Sequence, residues 1–237
     1  MIIDCISDLH GHYPKLEGGD LLIVAGDLTA KHTFGEYAFE FITWLSKQDY
    51  KRKIVIAGNH DTFLGEGAED AMKPFCDYLC DSGTEFEYYD ENLPEEDEKF
   101  LPSGKRTLKI WGSPWTKTFE GMNPYCKAFT VDTEEELAEK WALIPEDVDI
   151  LITHSPPYRI LDKITFPSHL MMLGGDHAGS LSLCEKISNS PRSLKLHVFG
   201  HIHEAYGEKY WKPTRYINAS YVNEHYQPVN KPIRVIL

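Results

Sequence analysis

Short runs of apolar, largely β-branched residues recur along the chain at Ile2–Ile6, Leu21–Ala25, Ile54–Ala57, Leu108–Trp111, Ile150–Thr153 and Lys195–Phe199. Most are too continuous for strands with one wet face and read as strands buried on both sides. Helical patterns lie between several of them. Ala38, Phe41, Ile42 and Leu45 form one stripe at i, i+3, i+4, i+7. Thr133-Glu134-Glu135-Glu136 has the form of a capping box and opens a second helix, expected to bury Leu137, Ala138, Trp141 and Ala142. A third is expected over Ser180–Ser190, with Leu181, Cys184 and Ile187 inward. From His197 the helical period stops, and strand-like pieces follow at Tyr206–Trp211, Arg215–Ala219 and Ile233–Leu237. Alternating strands and helices that finish in consecutive strands predict an α/β core with mixed sheets. Residues 81–106 read as irregular, with a solvated acidic run from Glu91 to Glu98. No repeat or Pro/Gly/Ser-rich linker divides the chain, so residues 1–237 are expected to form a single domain.

The residues at the carboxyl ends of the apolar runs are more informative than the runs themselves. Ile2–Ile6 leads into Ser7-Asp8-Leu9-His10, Leu21–Ala25 into Gly26-Asp27, and Ile54–Ala57 into Gly58-Asn59-His60-Asp61. Ile150–Thr153 ends at His154, and Lys195–Phe199 leads into Gly200-His201-Ile202-His203. The carboxyl edge of a parallel sheet is where ligand sites assemble. Any one such turn is a weak signal. Five strand ends that all deliver Asp, Asn or His have no packing explanation and point to metal ligation.

The ligand count sharpens this. Asp8, His10, Asp27, Asn59, His154, His201 and His203 supply seven groups, and one bridging carboxylate would give each of two ions four protein ligands. Carboxylate, imidazole and amide oxygen suit Mn, Fe or Zn, with Mn favoured in vitro, and the lack of thiolate argues against a structural zinc cluster. Two divalent ions outweigh the two carboxylates, so the pocket is positive and its substrate should be an anion. That matters because the whole chain carries a net charge of −13. Such a surface repels a polyanion, so extended nucleic-acid binding is not expected. Five cysteines without a CxxC pair read as reduced thiols; Cys76 and Cys80, at i, i+4, would share a helix face. The start of the chain lacks a basic region and is broken by Asp4, and no apolar run reaches membrane length, so a cytoplasmic protein without membrane contact is expected.

The ordered motifs Asp8-Leu9-His10, Gly26-Asp27, Gly58-Asn59-His60-Asp61, His154 and Gly200-His201-Ile202-His203 resemble those of the calcineurin-like metallophosphoesterase superfamily. The stretches Gly19–Asp27, Lys109–Trp115, Thr153–Pro157, His197–Glu204 and Asn218-Ala219-Ser220 are similar to its small metallophosphoesterase-domain-containing phosphodiesterases, although Asp61 stands where part of that branch has Glu. The resemblance implies a four-layer αββα sandwich of two mixed β-sheets flanked by helices. It also implies Asp8, His10, Asp27 and His203 at one metal, and Asp27, Asn59, His154 and His201 at the other.

The expected chemistry is attack of a metal-bridging hydroxide on a small phosphodiester, with 2′,3′-cyclic nucleotides among the candidates. His60, next to a ligand, would protonate the leaving oxygen, and Asp61 would orient its imidazole. A phosphomonoesterase or phosphoprotein phosphatase is the alternative, although Leu28-Thr29-Ala30-Lys31 after Asp27 and Ala57 before Gly58 depart from the Ser/Thr phosphatase pattern. A non-catalytic scaffold should have lost ligands, and all seven positions are filled. Substrate-defining loops are expected within Pro114–Ala128 and Pro156–Gly179, while His12 and His177 are the remaining histidines closest to the motifs or to a flexible loop.

Overall fold

The computed structural model describes residues 1–31, 33–65, 69–89, 104–119, 124–165, 177–190 and 194–237. Strands are numbered in chain order. In the first sheet β1 (Ile2–Ile6), β2 (Gly19–Ala25), β3 (Tyr50–Ile56) and β4 (Asp77–Tyr78) run parallel, and β13 (Ile233–Ile236) closes the edge antiparallel to β1. In the second, β12 (Thr214–Asn218), β10 (Leu196–Phe199), β9 (Ile150–Thr153) and β6 (Lys105–Ser113) are parallel. Its antiparallel edges are β11 (Gly207–Trp211) and β5 (Ser82–Tyr89). A small parallel pair, β7 (Thr116–Lys117) and β8 (Thr130–Val131), stands apart.

The two-residue period of each strand divides its side chains between two cores. Ile3, Cys5, Ile23, Ile54 and Ile56 of the first sheet meet Ile110, Ile150, Ile152, Val198 and Ile217 of the second. The opposite faces carry helices. Leu22, Val24 and Val55 are covered by Tyr37, Phe41, Trp44 and Leu45, from a wide helical turn at Glu36–Phe41 that tightens into α1 (Ile42–Ser46). Leu151 is covered by Leu137 and Trp141 of α2 (Glu134–Ala142) and Leu183 of α3 (Leu181–Ser188). The layers are therefore helix, sheet, sheet, helix, as the family resemblance implies.

The capping box forms as expected, with Thr133 Oγ1 accepting from Glu136 N–H at 3.2 Å and Glu136 Oε2 accepting from Thr133 N–H at 3.0 Å. Ser180 caps α3 and also accepts from Trp141 Nε1 at 3.0 Å, which ties the two helices together.

Several expectations are corrected. Residues 82–89 are a strand, not part of an irregular stretch: Phe86 is buried and Tyr88 packs on the core, a period-2 pattern. The acidic run Glu91–Glu98 lies outside the described residues. Ala138 and Ala142 face solvent because Leu137 and Trp141 alone reach the core, and in α3 Leu183 is buried while Leu181 is exposed. Cys76 and Cys80 share no helix face, since β4 begins at Asp77. All five cysteines are free thiols. Among the described residues no helix is long and apolar enough to cross a membrane.

Candidate metal centre

The turns that follow β1, β2, β3, β9, β10 and β12 meet at one edge of the sandwich and hydrogen-bond to one another. Asp8 N–H donates to Gly26 O at 2.9 Å, His10 N–H to Asp27 O at 3.0 Å, Ser7 N–H to Ala219 O at 2.8 Å, and Gly200 N–H to His154 O at 3.2 Å. Their backbone is unusual: Asp8, His10, Asp27 and His201 all have positive φ, between 41° and 69°. Each such non-glycine residue costs roughly 1–2 kcal/mol and persists only where its surroundings impose it. Two glycines let the turns close. A Cβ at Gly58 would sit 2.2 Å from Asp27 Oδ1, and one at Gly200 would sit 2.1 Å from Asp8 Oδ2.

The result is a dense buried cluster. One ligand atom each from Asp8, His10, Asp27 and His203 lies within 4.8 Å of all the others. His203 Nε2 is 3.3 Å from Asp8 Oδ1, His10 Nε2 is 3.5 Å from Asp27 Oδ2, and the two Nε2 atoms face each other at 3.3 Å. On the other side of Asp27, His154 Nε2 approaches Oδ2 at 3.3 Å and Asn59 Oδ1 at 3.1 Å. His201 completes this side, its ring centroid 5.0 Å from that of His154. Asp27 thus stands between the two sets of side chains.

Outer contacts fix which atom each group presents. His154 Nδ1 donates to Ala25 O at 2.9 Å and His203 Nδ1 to Asn223 O at 3.1 Å, which turns both Nε2 atoms inward. His201 Nε2 and Thr116 Oγ1 share a hydrogen bond at 3.2 Å, which turns the other ring nitrogen, Nδ1, away from Thr116. Asn59 Nδ2 donates to Cys126 O at 3.1 Å, directing Oδ1 toward His154. Asp8 accepts from Ser220 Oγ at 2.8 Å and from His201 N–H at 3.1 Å.

The electrostatics fit a cation. Asp8 and Asp27 are essentially inaccessible, and neither meets a Lys or Arg among the described residues. Burial alone would raise their pKa values; the charges of His203 on Asp8 and of His154 on Asp27 reverse this and hold both carboxyls below the usual range. Burial likewise opposes a charge on His154, but Asp27 and Asp8 outweigh it and lift the imidazole to about 9. His10 and His201 are pushed down to about 3 by burial, despite the attraction of the same carboxylates, and present neutral nitrogens. Two buried anions, neutral imidazoles and an amide oxygen form a donor set suited to divalent metal.

Residues 1–205 match the family described as Calcineurin-like phosphoesterase. The chain belongs to that family. Its relatives include Metallophosphoesterase domain-containing protein 1 of Homo sapiens, 38% identical over 98% of this chain and 70% of that protein. A UPF0046 protein of Caenorhabditis elegans is 33% identical over 97% of this chain and 58% of its own length. Among solved structures, TT1561 of Thermus thermophilus shares the fold with a TM-score of 0.51 at 15% identity, covering 92% of this chain and 88% of that one. As a calcineurin-like phosphoesterase the chain falls in a class of metal-dependent hydrolases, and the buried Asp/His cluster is its candidate divalent-metal site.

The Asp61 carboxylate oxygens accept the N–H groups of Leu28 at 3.0 Å and Gly58 at 2.7 Å, clamping the turns after β2 and β3 together. Cys126 Sγ lies 3.4 Å from Nδ1 of the His60 ring. Its backbone N–H donates to Asp27 Oδ1 at 2.9 Å, and its Nε2 lies 3.9 Å from Asp27 Oδ2.

Five contributors went unread: Thr116, Cys126, Ser220, Asn223 and Tyr226. Ser220 carries a visible signal, since Asn218-Ala219-Ser220 puts polar groups after a sixth buried strand. Tyr226 carries none, yet its ring centroid is 4.8 Å from that of His10, and burial with the charges of Asp27, Cys126 and Asp8 pushes its phenol up to about 12. Of the other histidines, His12 meets Tyr226 O at 3.2 Å, and His177 is tied to Asp162 at 2.7 Å. Trp115 packs beside the outer core and donates to Asp81. His32, His169 and the glycines before His177 lie outside the described residues.

Proposed function

We propose that the chain is a dimetal phosphoesterase acting on a small anionic phosphodiester. The supporting observation is the position of Asp27, whose Oδ2 is approached by His10 from one set of groups and by His154 from the other, as a shared carboxylate requires. Asp8, His10, Asp27 and His203 would hold one ion, and Asp27, Asn59, His154 and His201 the other, with Mn favoured in vitro over Fe or Zn. Divalent ions bound there supply Lewis acidity to the phosphoryl oxygens and to an attacking water.

The chain's own groups do the rest. The His60 side chain is 15% exposed and stands edge-on to His10 at 4.7 Å. It would give a proton to the leaving oxygen, a role worth about 10²–10⁴ in rate. Asp61 acts at a distance by keeping Gly58 and Leu28 in register, and the Cys126 thiol steadies the imidazole. Buried Asp8 and Asp27 have their orientation set by Ser220 and by backbone N–H groups before any substrate arrives.

The test is turnover by Mn²⁺-loaded protein of an aryl monoester, an aryl diester, and 2′,3′- and 3′,5′-cyclic nucleotides. A diester should be the best substrate. Monoester turnover far above every diester would establish the phosphomonoesterase alternative, and no turnover at all would leave a scaffold.

A further inference from the structure

Tyr226 belongs to none of the strand-end motifs, yet it covers them. It lies in the segment beyond β12, and its ring stands nearly perpendicular to those of His10 and His203, at 82° and 89°, with centroids 4.8 and 5.3 Å away. The His60 ring is 6.2 Å away. Its backbone is left-handed, with φ of 58°, a conformation an aromatic residue adopts only when neighbouring bonds enforce it.

Those bonds are present. Asn223 Oδ1 accepts the N–H groups of His225 at 3.0 Å and Gln227 at 2.9 Å, and Tyr226 N–H donates to Asn223 O at 2.9 Å. The Tyr226 carbonyl meets His12 Nε2 at 3.2 Å. The same Asn223 carbonyl also receives His203 Nδ1. One loop thus orients a ligating imidazole and suspends a phenol above it. The side chain is not filling a core: Tyr226 is 50% exposed, and its hydroxyl has no hydrogen-bond partner among the described residues.

We infer that Tyr226 is a substrate-positioning residue, its hydroxyl donating a hydrogen bond to the phosphoryl group of an ester seated against the His10, His60 and His203 imidazoles. This rests on the phosphoesterase reading above. A neutral donor on a strained, braced loop suits an anion that enters a site already rich in carboxylate, because it adds attraction without adding a mobile charge.

Tyr226→Phe in the Mn²⁺-loaded full chain isolates the hydroxyl, and a half-exposed ring makes that variant safe for folding. Metal content by elemental analysis should be unchanged. Affinity for inorganic phosphate by calorimetry and kcat/KM on bis(p-nitrophenyl) phosphate should both fall about 10-fold or more, the scale of a lost hydrogen bond to a charged group. Unchanged phosphate affinity together with unchanged kcat/KM would overturn the assignment, and so would loss of metal, which would make Tyr226 a support for His203 alone. The two readings fail differently. Wild-type protein that binds phosphate but turns over no ester defeats the phosphoesterase proposal, while the phosphate titration of Tyr226→Phe still decides the role of Tyr226; wild-type protein that binds no phosphate overturns both.

Discussion

Asp4, in the middle of β1, and Asp8, two residues beyond its carboxyl end, are both buried, and their surroundings could hardly differ more. Asp4 accepts two bonds from the Arg234 guanidinium, at 2.8 and 2.7 Å, and a third from the Tyr50 hydroxyl. Its charge is answered within the protein, by a bidentate pair across the β1–β13 edge. Asp8 meets a serine hydroxyl, a backbone N–H and imidazoles, and beside it stands Asp27, also without a guanidinium or ammonium among the described residues. The protein closes one carboxylate with its own cation and leaves the other pair to draw protons onto His154 and His203. A completed ion pair marks structure; a buried anionic pair completed only by protons marks a place built for a metal.

The sharpest way to break this contrast is Asp8→Asn. Mn²⁺ at about 100 times its dissociation constant should stabilise wild-type protein by about 2.7 kcal/mol, or roughly 5–10 °C in Tm for a chain of this length. The variant should show a clearly smaller shift in a thermal melt, since one of the two sites loses a ligand, and esterase activity should fall at least about 100-fold. An equal Mn²⁺ shift in both proteins would show that Asp8 holds nothing.

A third kind of buried ionisable group, His197, extends the comparison. Among the described residues it has neither cation nor carboxylate: Nε2 meets Thr153 Oγ1 at 2.8 Å, and Nδ1 is buried without a partner. Burial pushes it down to about 3. Because the unfolded chain then binds a proton that the folded one refuses, stability is full above the ordinary pKa of about 6.5 and declines as pH falls from there toward 3. Denaturant melts should lose about 5 kcal/mol over that window through this group, and His197→Phe should remove that share of the slope. An unaltered pH profile would contradict the assignment.

The smallest effect is expected at the completed pair. Arg234→Leu leaves Asp4 with Tyr50 alone, but a guanidinium one-third exposed is partly screened, so about 1–2 kcal/mol is expected instead of the 3–5 of a fully buried pair. Metal content and the Mn²⁺ shift should be untouched. Loss of metal in this variant would erase the distinction between Asp4 and Asp8.

Much of the sheet framework was legible because buried parallel strands have a blunt signature. Ile2–Ile6 and Ile150–Thr153 are strands at their expected bounds. β5 escaped because Ser82–Tyr89 sits at an edge, where Glu85 and Glu87 alternate with Phe86 and Tyr88 and mask the apolar half. The seven strand-end residues were readable for the same reason as the strands: a turn at the carboxyl end of a buried strand has a known destination. For Asp61, adjacency in the chain suggests contact with His60, and only the folded chain shows its two oxygens taken by backbone N–H groups from separate turns. Cys126 and Tyr226 lie in segments without regular structure, and only the folded chain shows which of their atoms come near an imidazole.

Asp8, Asp27 and Asn59 arrive from one sheet, while His154, His201 and His203 arrive from the other. The isoleucines and valines between the layers therefore act as a spacer gauge, setting the gap across which any ion must be gripped. Thinning that filling at Ile56 or Ile152 would let the layers settle by a fraction of an ångström, and the loss would register in metal affinity as well as in the melting curve.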